Sequence, residues 1–255
     1  MMARGHAISG AAGLNTNHLG YAMLIDGPNI YTLDNRTDAG GVRRLWRISS
    51  DGGASWEVTD VATFGTSSTD DPEDAFRAMA ARDGRIYLIT RETTATVNTQ
   101  IWSVDPSGPL PAAGQLELAF GANAYNNCVG LAMDASSWFT VCRAGTSGSN
   151  FVALRIARTG GAITELGSLT APLSSTQNAV SVIARDHDGD GNADYLYIQT
   201  DRESADFVCS PYGTPYLRQH FYFGSGTGNY GMGFDAAANT LWLFDDDTLE
   251  FVKVQ

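Results

Sequence analysis

The sequence predicts an all-β chain, and three observations carry that prediction. One hairpin pattern returns five times: a short apolar run containing Gly or Ala, a turn opened by Asp, and a second run of β-branched and aromatic residues. The turn-opening residues Asp26, Asp83, Asp134, Asp186 and Asp235 are spaced 57, 51, 52 and 49 residues apart. Strand-only repeats at about 40–50 residues are the mark of propeller blades rather than helical solenoids. Composition agrees, since 28 glycines and only 17% charged residues suit many tight turns. The expected fold is a five-bladed β-propeller of four-stranded blades.

Residues 1–19 are polar and rich in Gly and Ala, with one strand-like piece at Ala7-Ile8-Ser9. The first blade (about 20–65) pairs Gly20–Ile25 with Ile30–Leu33, then adds runs at Leu45–Ile48 and Glu57–Val61. The second (75–121) pairs Ala78–Ala81 with Ile86–Ile89 across Asp83-Gly84 and continues with Ile101–Val104. The third (126–170) pairs Gly130–Met133 with Trp138–Val141 and continues with Ala153–Ile156. The fourth (178–224) pairs Val182–Ala184 with Tyr195–Ile198, followed by Phe207–Cys209 and Gln219–Phe223. The fifth (228–255) has only three runs: Gly231–Phe234, Leu241–Phe244 and Leu249–Val252.

The missing strand of the fifth blade is expected from residues 5–12. An N-terminal strand joining the C-terminal blade would close the ring and remove an edge open to aggregation. Gly and Ala alternate in the leading strands, as at Gly20 and Ala22, Gly130 and Ala132, Gly231 and Gly233. Strands converging on the axis of a small ring have room only for small side chains. No helical pattern and no linker interrupts the repeats, so residues 1–255 read as a single domain.

A net charge of −12, with fifteen Arg against one Lys, excludes a nucleic-acid backbone as partner. No run approaches the ~20 apolar residues of a membrane span. The N-terminus lacks the apolar centre of a classical signal peptide, so extracellular or virion localisation would require another exit route. Cys128, Cys142 and Cys209 cannot all pair with one another. Cys128 and Cys142 fall on neighbouring predicted strands, where they could form a disulfide or remain free buried thiols.

The fourth hairpin turns through Asp186-x-Asp188-x-Asp190-Gly191-x-x-Asp194. Carboxylates at alternate positions, followed by Gly at the sharp turn, wrap oxygens around a hard cation. Position twelve, where an EF-hand carries Glu, is Tyr197, and the flanks are strands. The loop resembles the calcium loops of FG-GAP (VCBS-type) propeller repeats. That resemblance implies Ca2+ held by the side chains of Asp186, Asp188, Asp190 and Asp194 and by the backbone carbonyl of Asn192. The plain alternative is an acidic turn without an ion, which must bear the mutual repulsion of its carboxylates.

Ser49-Ser50-Asp51-Gly52-Gly53-Ala54-Ser55-Trp56 resembles the Asp-box of sialidase-type (BNR) repeats and stands between the third and fourth strands of its blade, as in that family. The resemblance implies a structural role for Ser49, Asp51, Gly53, Ser55 and Trp56. Asp51 and the hydroxyls would satisfy backbone donors while Trp56 packs into the blade. Ser103-Val104-Asp105-Pro106-Ser107-Gly108 reads as a decayed copy.

First-to-second and third-to-fourth turns of a blade share one face. The opposite, loop-rich face would gather Asp34, Arg36, Asp74, Arg91, Arg143, Asp201 and Arg202. Arg, Asp and Asn around a funnel suit sugar hydroxyls, carboxylates or a protein partner. The bland alternative is a set of rim ion pairs, each worth only ~0–1 kcal/mol. Gly226–Gly231 matches GxGxxG but precedes a strand, not a helix, so no dinucleotide site follows. The four histidines lack zinc spacing, no GxSxG elbow occurs, and the Phe/Tyr-Arg-Ile-Pro segment of sialidases is absent.

The function expected is a non-enzymatic, calcium-stabilised binding or structural assembly module outside the cell, such as a phage virion or surface component, with carbohydrate binding among its candidate activities. The alternative is a propeller-type glycoside hydrolase recruiting carboxylates such as Asp74 and Asp201.

Overall fold

The computed structural model describes residues 19–34, 43–50, 56–64, 76–90, 99–121, 124–144, 151–169, 179–200, 205–212, 216–222, 229–235, 240–245 and 250–254. These form strands joined by turns, with no helix among them. The five predicted hairpins are β1 (Leu19–Asp26) with β2 (Asn29–Asp34), β5 (Phe76–Arg82) with β6 (Arg85–Thr90), β10 (Tyr125–Met133) with β11 (Ser137–Ala144), β14 (Ala179–Arg185) with β15 (Tyr195–Thr200), and β18 (Asn229–Asp235) with β19 (Thr240–Asp245). The second turns through Asp83 and Gly84, both at positive φ (53° and 73°). That is the two-residue geometry that matches the twist of paired strands.

Each hairpin gains a third antiparallel strand: β3 (Arg43–Ser50), β7 (Gln100–Val104), β12 (Phe151–Ala157), β16 (Ala205–Ser210) and β20 (Glu250–Val254). Fourth strands β4 (Trp56–Phe64), β9 (Gln115–Ala119), β13 (Ile163–Ser168) and β17 (Tyr216–Tyr222) complete the first four sheets. The last sheet has three strands, and the N-terminal strand expected to complete it lies outside the described residues.

The first sheet departs from the four-strand expectation. A short β8 (Ala112–Ala113), in the connection between β7 and β9, pairs parallel to β4 through Ala62↔Ala112 and Thr63↔Ala113. It occupies an edge whose N–H and C=O groups would otherwise be unpaired.

The contacts divide the chain into two units, Met1–Leu88 with Ile101–Glu117, and Ile89–Gln100 with Leu118–Gln255. In the first, Tyr31, Leu45, Val61 and Ala62 bury against Met79, Ile86, Leu88 and Val104. In the second, Phe139, Val141, Phe151, Ala153 and Leu166 of one sheet meet Val182, Leu196 and Ile198 of the next. Members of one cluster recur at alternate positions along a strand, as Phe139 and Val141 or Ile86 and Leu88 do. Strands β6, β11 and β12 nevertheless carry consecutive buried residues and are covered on both faces.

At the seam within the second unit, β14 passes close to β10. Gly130 has φ +70°, and a Cβ there would stand 2.8 Å from Val182 Cγ2 and 2.9 Å from Val182 N. The small residue expected in this leading strand is therefore required by a neighbouring backbone. Cys128 and Cys142 are disulfide-bonded, pinning β10 to β11, so of the two readings left open by the sequence the paired one holds.

Candidate metal site

The loop between β14 and β15 is shaped by its own carboxylates. Asp186 Oδ1 accepts from Gly189 N at 2.6 Å and Asp186 Oδ2 from Gly191 N at 2.8 Å. Asp188 Oδ1 accepts from Asp190 N at 3.1 Å, and Asp190 Oδ1 from Asn192 N at 2.7 Å. Asp194 Oδ2 closes the loop by accepting from His187 N at 2.7 Å, while Asp194 N donates to Arg185 O at 2.8 Å. Gly189 and Gly191 take φ +80° and +92°, the left-handed turns that alternating aspartates need between them. The Gly191 amide, more than any other neighbour, holds the Asp186 carboxyl below its usual range.

Three of the predicted ligands converge. Asp186, Asp188 and Asp194 each present a carboxylate oxygen, and these oxygens lie within 4.8 Å of one another. The donor set suits a hard cation: oxygen-only, anionic and exposed enough to exchange with solvent. Asp190 falls outside this trio. It lines an open cleft of roughly 510 Å3 together with Asn192, Ala193, Asp194, Ser210 and Tyr212. Asn192 turns its side-chain Oδ1 toward Ser136, whose Oγ donates at 3.2 Å.

The loop is docked on the preceding hairpin through a residue that sequence reading identified only as a turn opener. Asp134 is 3% exposed. Its Oδ1 accepts from the amides of Ser136 (2.8 Å) and Ser137 (2.7 Å), and its Oδ2 accepts from Ala193 N (3.0 Å) and the Tyr212 hydroxyl (2.7 Å). Ala135 N donates to Gly191 O at 2.8 Å. A buried carboxylate needs such a full set of donors to offset its lost hydration.

Tyr212 completes the cluster. Its ring meets Phe139 edge-on at 6.4 Å and carries the Arg155 guanidinium 4.7 Å from its centroid. Arg155 Nη1 also donates to Pro211 O at 2.7 Å. Burial pushes the Tyr212 hydroxyl above its ordinary pKa. The Asp-Ala-Ser-Ser run at 134–137 is a turn signal that could have pointed to the Asp134 cap. Nothing in the sequence marks Tyr212 as its partner.

The stretch 49–56 runs from β3 to β4, with Ser50↔Trp56 as the rung that closes their turn. Ser49 belongs to β3, and Asp51, Gly53 and Ser55 lie outside the described residues. In the stretch 103–108, Asp105 Oδ1 accepts from Ser107 N (2.9 Å) and Ser107 Oγ (2.6 Å). The Ser107 hydroxyl, followed by its amide, holds the Asp105 carboxyl below its usual range.

Of the charges predicted to ring the opposite face, Asp34 is the last residue of β2. Arg143 is not a loop residue, because β11 continues through it and pairs it with Asn126. Its guanidinium lies over Phe151 at 5.4 Å, in a packing contact. Arg36, Asp74, Arg91, Asp201 and Arg202 lie outside the described residues.

No protein-family description matches this sequence, and no curated protein matches it. Solved structures do. A periplasmic gluconolactonase of Pseudomonas aeruginosa matches 92% of the chain with a TM-score of 0.55 at 13% identity. Virginiamycin B lyase of Staphylococcus aureus matches 94% with a TM-score of 0.54 at 11% identity. A protein from Lactobacillus plantarum matches 89% with a TM-score of 0.51 at 15% identity. The chain spans 66%, 71% and 67% of those proteins' own lengths. Likeness at this identity shows the fold, which is the all-β propeller type, and leaves chemistry to the residues of this chain.

Proposed function

We propose that the chain is a five-bladed propeller stabilised by Ca2+, acting as a non-enzymatic binding or assembly module outside the cell or in a virion. The observation that carries this reading is the convergence of Asp186, Asp188 and Asp194 in a loop whose backbone is already wound around them. These three carboxylates would hold the ion. Bound there, the cation would supply charge neutralisation and rigidity to the long loop between β14 and β15, so that the turn keeps one shape.

Other observations support the same reading. The aspartates with described hydrogen bonds here, including buried Asp134, are engaged with turn amides, which is structural work rather than that of a general acid or nucleophile. A disulfide between Cys128 and Cys142 suits an oxidising, extracellular setting, where calcium is also abundant. In this reading an N-terminal strand from residues 5–12 completes the last sheet, and the loop-rich face takes a glycan or protein partner.

Calorimetric titration with Ca2+ tests the site, with Asp188→Asn as the comparison. One tight site in the wild type, lost in the variant, is the expected result; no binding in the wild type ends the calcium reading. A panel of aryl glycosides tests the non-enzymatic part, since robust turnover would contradict it.

A further inference from the structure

We infer that Asp134, which belongs to a different sheet from the metal loop, is a positioning residue for the ion. This rests on the calcium reading above and adds to it a source of the loop's preorganisation. Three consecutive loop residues are gripped from the β10–β11 turn. Gly191 O receives Ala135 N, Asn192 Oδ1 receives Ser136 Oγ, and Ala193 N donates to Asp134 Oδ2. Asp194, one of the converging carboxylates, follows directly. Its backbone is thus fixed on one side by Asp134 through Ala193 and on the other by Arg185 O.

The grip is stiff because Asp134 is itself over-determined. Buried at 3% exposure, it is held by two turn amides and by Tyr212, which Arg155 and Phe139 pack in place. Ligands fixed before the ion arrives lose less entropy on binding, so outer partners of a metal site set its affinity without touching the metal. The coupling also runs the other way: an ion that orders residues 186–194 orders the seam between the two sheets.

Asp134→Asn is the test. An asparagine can keep its oxygen on Ser136 and Ser137 but would oppose the Ala193 amide with its own NH2. Ca2+ affinity should fall by about tenfold or more, measured by calorimetry well below the melting temperature. The Ala193 amide should also lose hydrogen-exchange protection. Leu154→Ala, a core truncation in β12, is the control for general destabilisation and should bind Ca2+ as the wild type does. Equal affinity in Asp134→Asn and wild type overturns the inference, and so does an equal loss in the Leu154→Ala control. Failure of the wild type to bind Ca2+ instead removes the site itself, and the inference with it. Should Asp134→Asn not fold, Ser136→Ala decides the matter: weaker binding supports the grip, and unchanged affinity refutes it.

Discussion

The hydroxyl of Tyr212 donates to Asp134 at 2.7 Å, joining the end of β16 to the turn between β10 and β11. A bond to a buried carboxylate is among the stronger neutral-to-charged contacts. Tyr212→Phe should therefore cost about 1.5–3 kcal/mol, read as a shift in the urea midpoint with unchanged slope. A loss below about 0.5 kcal/mol would mean that Asp134 finds another donor.

Calcium removal should destabilise the protein. If the ion binds only the folded state at about 100 times its dissociation constant, it contributes about 2.7 kcal/mol. For a chain of this size that corresponds to a melting temperature roughly 5–10 °C lower in excess chelator. Asp186→Asn should melt alike with and without chelator, and a wild type indifferent to chelation would remove the ion from the account.

Gly130 should tolerate no side chain. Alanine there combines a left-handed backbone with a Cβ 2.8 Å from Val182 Cγ2 and 2.9 Å from Val182 N. Strain and overpacking together should cost about 2–4 kcal/mol. Thermal melting of Gly130→Ala checks this, and a shift under 1 °C would show that β14 can retreat from β10.

Cys142→Ser should lower stability by about 2–3 kcal/mol through the greater freedom of the unfolded chain. The two cysteines are 14 residues apart, so the loop they close is short. Thiol titration of the denatured, unreduced protein should find one free cysteine rather than three.

Tyr125 should titrate late. Burial, together with the bond its hydroxyl donates to Glu165 at 2.8 Å, raises its pKa from 10.0 to about 12. A pKa raised on folding means that the contribution is complete below pH 10 and is lost as the pH rises toward 12. Tyr125→Phe should therefore flatten the alkaline limb of the stability profile, and ultraviolet difference titration should show one fewer late-ionising tyrosine.

The hairpins were legible because each local signal agreed with the next. Alternating apolar residues, β-branched composition and an Asp-led turn all point to the same strand pair, as at Asp83-Gly84, where the residues at positive φ are those the sequence marks. The carboxylate trio was legible for the same reason, since Asp186, Asp188 and Asp194 sit on one short loop. Asp190 stands outside that trio, its Oδ1 accepting from Asn192 N, because alternation fixes which residues are carboxylates but not where each one turns its oxygens. Asp134 and Tyr212 meet across 78 positions, and no local pattern encodes that encounter. Arg143 looked like a loop charge because charge commonly ends a strand; pairing with Asn126 extends the ladder past it.

The parallel rung between Ala62 and Ala112 has a consequence for how the molecule is made. The outer border of the first sheet is finished by a segment that leaves the ribosome only after β5, β6 and β7 have emerged. Until then β4 offers a bare rim to any passing strand. A nascent chain stalled before residue 112 should thus be the species most prone to self-association, and a chaperone that shields extended edges would matter most during that interval.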